Sequence, residues 1–135
     1  MSIRSATPYF ILGGRAQEAI ELYQQALGAE VDSLSRFGEV DQSCPEAMRD
    51  RVMHAMLRVG EAVIMMSDGP GEAPESPGKV SVALDFGDPD TARRCFDALA
   101  ESGNVIEALF DAPWGALFGV VQDRFGITWM FNSVK

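Results

Sequence analysis

The sequence predicts an α+β fold made of two βαβββ modules, whose curved mixed sheets enclose a cavity. Three observations predict it. Short apolar runs of strand length surround one amphipathic helical segment in each half of the chain. Residues 68–78, which hold three prolines and three glycines, separate the halves. Because each half is short for an independent domain, we expect one domain over residues 1–135, made of module 1–67, linker 68–78 and module 79–135.

The first module is predicted from its apolar spacing and its turn residues. Residues 8–12, "PYFIL", read as a strand that stops at two glycines, and "RAQEAIELYQQALG" has helical spacing with a glycine at its end. "EVDSLSRF" predicts the second strand. Residues 38–50 read as a loop with one helical turn opened by Pro45. "RVMHAMLRV" and "AVIMMS" predict a hairpin around Gly60-Glu61.

The second module repeats this order. "KVSVALDF" predicts a strand, Asp88 a helix cap with Pro89 in the first turn, and Gly103 the end of that helix. "NVIEALF" predicts the next strand and "DAPWG" a loop. "ALFGVVQ" and "ITWMFN" predict a closing hairpin whose turn spans residues 123–126.

Strand alternation sorts the side chains of each hairpin onto two faces. In the first module, Ala55, Leu57, Ile64 and Met66 suit packing under the helix. In the second, a four-residue turn sends Phe118, Val120, Trp129 and Phe131 toward the helix, together with Val80, Val82, Leu84 and Phe86 of the preceding strand. The opposite faces are predicted to hold His54, Met56, Met65, Ser67, Ser81, Ala83, Asp85, Leu117, Gly119, Val121, Thr128, Met130 and Asn132.

Composition excludes several classes of partner. The net charge is −9, from 20 acidic and 11 basic residues, which argues against nucleic acid or an anionic membrane as a partner. We find no secretion signal and no apolar run of membrane-spanning length. The two cysteines, Cys44 and Cys95, lack the spacing of a disulfide framework, so we expect the reducing cytoplasm.

Three polar or aromatic side chains are candidates for chemistry. His54, the only histidine, serves either as a general base in the cavity or as a strand anchor bonded to Ser67 or a backbone carbonyl. Asp85 either binds a donor group of a ligand or leads into the helix cap. Trp114 either gates the cavity mouth or covers the edge of the core.

The order of elements and the motifs "PYFILGGRAQEAIELYQQALGAEV", "VMHA" and "WGALFGVVQDRFGITWM" resemble the vicinal oxygen chelate superfamily, in its PhnB-like branch. This superfamily includes glyoxalase I, extradiol dioxygenases and bleomycin-resistance proteins. The resemblance implies a metal site at Pro8, Met65, Ser81 and Met130, where metal-using relatives carry His, Gln or Glu. Since none of these four residues supplies an imidazole or a carboxylate, we expect no metal and no cofactor.

Two further positions depart from the branch. Met56 and Leu117 stand where many relatives carry Glu and Arg.

The resemblance and the residues together predict binding of a small, largely apolar molecule, by a chain that pairs into a homodimer. Whether the protein is an enzyme stays open: one alternative is a metal-dependent or His54-assisted lyase, isomerase or dioxygenase-like enzyme, and another is a drug-sequestering resistance protein.

Overall fold

A computed structural model describes residues 5–71 and 80–134 of the chain. The chain divides into two compact units, Met1–Glu75 and Ser76–Lys135. Each unit holds a four-stranded mixed sheet and a helix of 12 residues, which confirms the predicted α+β class. No helix in the described ranges has the length and apolar character needed to cross a bilayer.

The first unit follows the predicted order with one addition. Its elements are β1 (Tyr9–Ile11), α1 (Ala16–Leu27), β2 (Glu30–Arg36), α2 (Phe37–Val40), a 3₁₀ turn (Glu46–Met48), β3 (Val52–Val59) and β4 (Ala62–Ser67). The short helix α2 was not predicted, whereas the 3₁₀ turn follows Pro45 as expected. The sheet order is β1-β4-β3-β2, with β1 parallel to β4 and the other pairs antiparallel.

The core of the first unit lies between α1 and one face of this sheet. The β3–β4 register places Leu57 opposite Ile64 and Met56 opposite Met65, which confirms the predicted hairpin. On the helix side the sheet buries Ala55, Leu57, Ile64 and Met66, as predicted, and α1 buries Ala16, Ala19, Ile20, Tyr23 and Ala26. Each large apolar side chain buried here stabilises the unit by about 1.5–3 kcal/mol.

A buried carboxylate fixes the start of α1. Arg15 at the N-cap makes no side-chain capping bond. Instead Asp68, only 2% exposed, accepts hydrogen bonds of 2.8 Å from the backbone N–H groups of Gly14, Ala16 and Val52. Three donors suit a carboxylate that is removed from water. Asp68 is thus part of the first unit, and the predicted linker begins too early at this residue.

The second unit contains β5 (Ser81–Phe86), α3 (Pro89–Ala100), β6 (Asn104–Ala112), β7 (Ala116–Gln122) and β8 (Thr128–Val134). Its sheet order is β5-β8-β7-β6, with β5 parallel to β8. Asp88 caps α3 by accepting from the N–H groups of Asp90 and Thr91, as predicted. Strand β6 runs to Ala112, so the loop before β7 is shorter than the predicted "DAPWG". Val80 precedes β5 and is 79% exposed, so its predicted place in the core is wrong.

The predicted register of the last hairpin is wrong by one residue. Five residues, not four, separate β7 from β8, since Asp123 Oδ1 accepts from the N–H groups of both Phe125 and Ile127. A slip of one residue exchanges the two faces of a strand. Leu117, Gly119 and Val121 therefore lie on the side of α3, paired with Ser133, Phe131 and Trp129, while Phe118 and Val120 turn to the opposite side.

The packing of Gly119 supports this correction. A Cβ atom at Gly119 would lie 2.9 Å from Leu109 Cδ2 and 3.0 Å from Phe96 Cε2 of α3. The glycine allows the helix to approach β7 closely, and Phe96 in turn packs edge-on against Phe131 at a centroid distance of 5.2 Å.

Candidate ligand-binding faces

The sheet of the first unit leaves the face away from α1 uncovered by that helix. We call it the open face of the first unit. The strand pairings carry Tyr9, Met65, Met56 and Ser33 across it in one row. A second row starts with Ile11 opposite Ser67 and includes Ser35 opposite His54. The floor is thus built of thioethers and hydroxyls, with one imidazole and one phenol.

His54 contacts Tyr9 and not Ser67, which was one of the two partners considered for His54 as a strand anchor. The Tyr9 hydroxyl lies 3.3 Å from His54 Nδ1, and the two ring centroids are 5.9 Å apart. The Ser67 hydroxyl instead donates to Val52 O and accepts from the N–H of Gly69. A hydroxyl and an imidazole in hydrogen-bond contact can exchange a proton or share a ligand oxygen, which neither side chain does as well alone.

Tyr9 is the site residue that the sequence-based prediction missed. The resemblance put a metal position at Pro8, whereas the β1–β4 register pairs Tyr9 with Met65. Phe10 and Leu12 are buried, and Phe10 packs against Tyr23 of α1. The alternation of β1 sends Tyr9 the other way. The sequence alone leaves open which face of β1 packs on the core, and the burial of Phe10 under α1 assigns it.

The open face of the second unit lies opposite α3. In β5, Ser81, Ala83 and Asp85 lie beside Thr128, Met130 and Asn132 of β8, as the predicted alternation requires. The corrected register adds Val120 beside Met130 and Phe118 beside Asn132. Leu117, which the sequence placed on this face, is 3% exposed and lies on the side of α3.

A short polar chain crosses this second face. Trp114 Nε1 donates to Asn132 Oδ1, and Asn132 Nδ2 donates to Asp85 Oδ1, both at 3.4 Å. Trp114 is 61% exposed and packs edge-on against Phe118, which does the same with Phe110. Such long hydrogen bonds are weak, so a ligand can replace them at little cost. The exposed indole and the carboxylate offer a flat apolar contact and a hydrogen-bond acceptor.

The residues at the superfamily's metal positions do not fit a divalent ion. In the first unit, Pro8 and its neighbour Tyr9 lie beside Met65, and in the second unit Ser81 and Met130 lie on the open face. Divalent ions in proteins take imidazole, carboxylate or thiolate ligands, and thioethers and neutral hydroxyls are poor substitutes. Within residues 5–71 and 80–134, no three His, Cys, Asp or Glu side chains gather closely enough to hold a metal ion.

Cys95 does not offer an activated thiol. Both Cys44 and Cys95 are half-buried and unpaired. Burial raises the pKa of the Cys95 thiol, and the positive charge of Arg94 offsets this only in part. A thiol with a raised pKa is a poor nucleophile at neutral pH.

Comparison with known proteins agrees with this architecture. The sequence profile of the Glyoxalase/Bleomycin resistance protein/Dioxygenase superfamily matches residues 6–131. Protein YjdN of Escherichia coli (strain K12) is 34% identical over 139 residues, covering 96% of this chain and 95% of YjdN.

Solved structures give the same result. Protein PA1353 from Pseudomonas aeruginosa has a TM-score of 0.83 and 37% identity, covering 98% of each chain. A PhnB protein from Bacillus cereus has a TM-score of 0.82 at 22% identity, covering 97% of this chain and 100% of that one. The chain belongs to the Glyoxalase/Bleomycin resistance protein/Dioxygenase superfamily.

Proposed function

We propose that this protein binds a small, largely apolar molecule on the open faces of its sheets and does so without the superfamily's metal ion. The observation that supports this most directly is the chemistry of the metal positions. Met65 and Met130 are half-buried thioethers that lie beside a phenol ring and a methyl group, those of Tyr9 and Ala83. Thioethers favour apolar and aromatic partners and adapt to irregular shapes.

The surroundings of the two methionines support an apolar ligand with a few polar contacts. Tyr9, Ile11 and Trp114 are large apolar or aromatic side chains exposed on or beside these faces. Small-molecule sites in proteins combine mostly apolar walls with few polar groups that orient the ligand. His54 and Asp85 are such groups, one on each face.

The test uses phenylnaphthylamine, a neutral dye whose fluorescence rises in apolar surroundings. We expect it to bind to protein purified and assayed in EDTA, and we expect added zinc or nickel to leave the affinity unchanged. Met65→Gln and Met130→Gln keep the length of the side chain but make it polar, so each should weaken binding. The matched control is Met48→Gln, because Met48 is also half-buried but lies in the 3₁₀ turn and in neither sheet.

Two results would count against the proposal. One is dye binding that requires a divalent ion, which would favour the metal-dependent enzyme. The other is equal loss of binding in all three methionine variants, since binding would then depend on general surface polarity rather than on the open faces.

We also propose a homodimer in the cytoplasm. Strand β6 ends its sheet and exposes Val105, Ile106 and Phe110, and an apolar edge strand favours association. The unpaired cysteines favour a reducing compartment. Sedimentation of the wild type should show a dimer, and Ile106→Lys should shift it to the monomer. A wild-type monomer at high concentration would contradict the dimer.

A further inference from the structure

The hydrogen bond between Tyr9 and His54 leaves one donor unused in either proton arrangement. If the Tyr9 hydroxyl donates to Nδ1, the imidazole carries its proton on Nε2. If Nδ1 carries the proton, the hydroxyl hydrogen is free. Within the described part of the chain, neither side chain has another hydrogen-bond partner. The pair therefore always offers a donor, and it offers two when the imidazole is protonated.

The described strand partners of the pair carry no charge. On the open face, Ser35 stands opposite His54, and Met65 stands opposite Tyr9. Among the described residues, Arg58, Glu30 and Asp32 carry charge on this face, farther along β2 and β3. Arg58 Nη2 lies 2.6 Å from Glu30 Oε2 and 3.4 Å from Asp32 Oδ1, so these three groups satisfy one another.

We propose that Tyr9 and His54 bind a carboxylate group of the ligand, with its apolar body lying over Met56 and Met65. This inference rests on the proposed function and specifies the ligand's polar end. A carboxylate has two oxygens that only accept hydrogen bonds. It can replace one hydrogen bond of 3.3 Å between neutral groups with charge-assisted hydrogen bonds from both the phenol and the imidazole. An amine offers no acceptor of that kind when protonated.

The experiment compares octanoate with octanamide, which have the same chain and differ in charge. Because the chain has a single histidine, its ring proton resonance belongs to His54 without further assignment. We expect octanoate to bind about tenfold more tightly than octanamide, the size of effect that one charge-assisted hydrogen bond gives. Octanoate should also shift the His54 ring proton resonance more than octanamide does, because a carboxylate brings a full negative charge against the ring.

Variants separate the pair from the rest of the face. Tyr9→Phe keeps the ring and removes the hydroxyl, and His54→Gln keeps a polar side chain without a titrating charge. Each should remove most of the preference for octanoate over octanamide, by weakening octanoate binding much more than octanamide binding. The matched control is Arg58→Gln, which removes a positive charge from the same face and should leave the preference intact.

The inference is overturned if both compounds bind equally and the His54 resonance does not respond. If phenylnaphthylamine still binds in that case, the proposed function stands and only the carboxylate site is wrong. Loss of the preference in Arg58→Gln, but not in Tyr9→Phe, would assign the carboxylate to Arg58 instead. If neither octanoate nor octanamide binds, the inference is also wrong. The comparison on the wild type decides the matter even if a variant fails to fold.

Discussion

Asp123 sets the register that brings Met130 and Asn132 to the open face, so Asp123→Asn tests that part of the account. The carboxylate is 3% exposed and accepts three hydrogen bonds. Oδ1 accepts from the N–H groups of Phe125 and Ile127, at 2.9 and 3.1 Å, and Oδ2 accepts from Trp129 Nε1 at 2.9 Å. In asparagine one oxygen becomes an N–H₂ group, which cannot accept from the indole.

The expected cost comes mainly from Trp129. Its side chain is fully buried, so its N–H has no access to water when the carboxylate oxygen is lost. A buried unsatisfied donor costs about 1–3 kcal/mol, and the loss of charge weakens the two turn bonds as well. We therefore expect Asp123→Asn to lower the free energy of unfolding by about 2–4 kcal/mol.

A double-mutant cycle with Trp129→Phe isolates this interaction. Phenylalanine has no N–H to leave unsatisfied, so Asp123→Asn should cost about 1–2 kcal/mol less in that background. Urea unfolding should be followed by circular dichroism, because the Trp129 substitution alters the fluorescence. If the two costs add to within about 0.5 kcal/mol, the carboxylate and the indole are not coupled and the reasoning fails.

Three further predictions concern the second unit. The hydrogen bond from the Thr91 hydroxyl lowers the pKa of Asp88. The stability that this cap provides is therefore fully present at pH values above the usual pKa of an aspartate, and it is lost as the pH falls through the lowered pKa. Asp88→Ala should thus destabilise the protein at neutral pH and not in strong acid. Urea unfolding that shows the same loss in the free energy of unfolding at both pH values would refute this. Ser133 is buried without a hydrogen-bond partner for its hydroxyl among the described residues, so Ser133→Ala should raise the free energy of unfolding by about 1 kcal/mol. A lower free energy of unfolding in this variant would show that the hydroxyl does have a hydrogen-bond partner. Acrylamide should quench Trp114 but not Trp129, so fluorescence of Trp114→Phe should resist quenching, and strong quenching would contradict the burial of Trp129.

The sequence was sufficient where local rules decide the structure. Gly60 has φ of 60°, a backbone conformation that favours glycine. The turn Gly60-Glu61 could therefore be predicted from the sequence, and the register of the β3–β4 hairpin with it. The β7–β8 turn did not follow, because its length depends on which backbone N–H groups the Asp123 side chain binds. An aspartate before a glycine predicts a turn but not the number of residues in it.

Long-range contacts account for the other errors. Asp68 stands at the start of a proline- and glycine-rich segment and looked like part of a linker, yet its carboxylate binds the backbone 52 and 54 residues earlier in the chain. Tyr9 could not be assigned to a face because a three-residue strand shows too little alternation. Only the packing of Phe10 against α1 resolves it, and that contact is not visible in the sequence.

The central claim is metal-free binding of a small apolar molecule on the open faces. The most direct measurement is NMR of isotope-labelled methionine methyl groups during titration with phenylnaphthylamine in EDTA. The account predicts that Met65 and Met130 respond, while Met66, buried on the helix side, and Met48, in the 3₁₀ turn, stay unchanged. Shifts that appear only after zinc or nickel is added, or that appear at Met48 and Met66 but at none of Met56, Met65 and Met130, would contradict it.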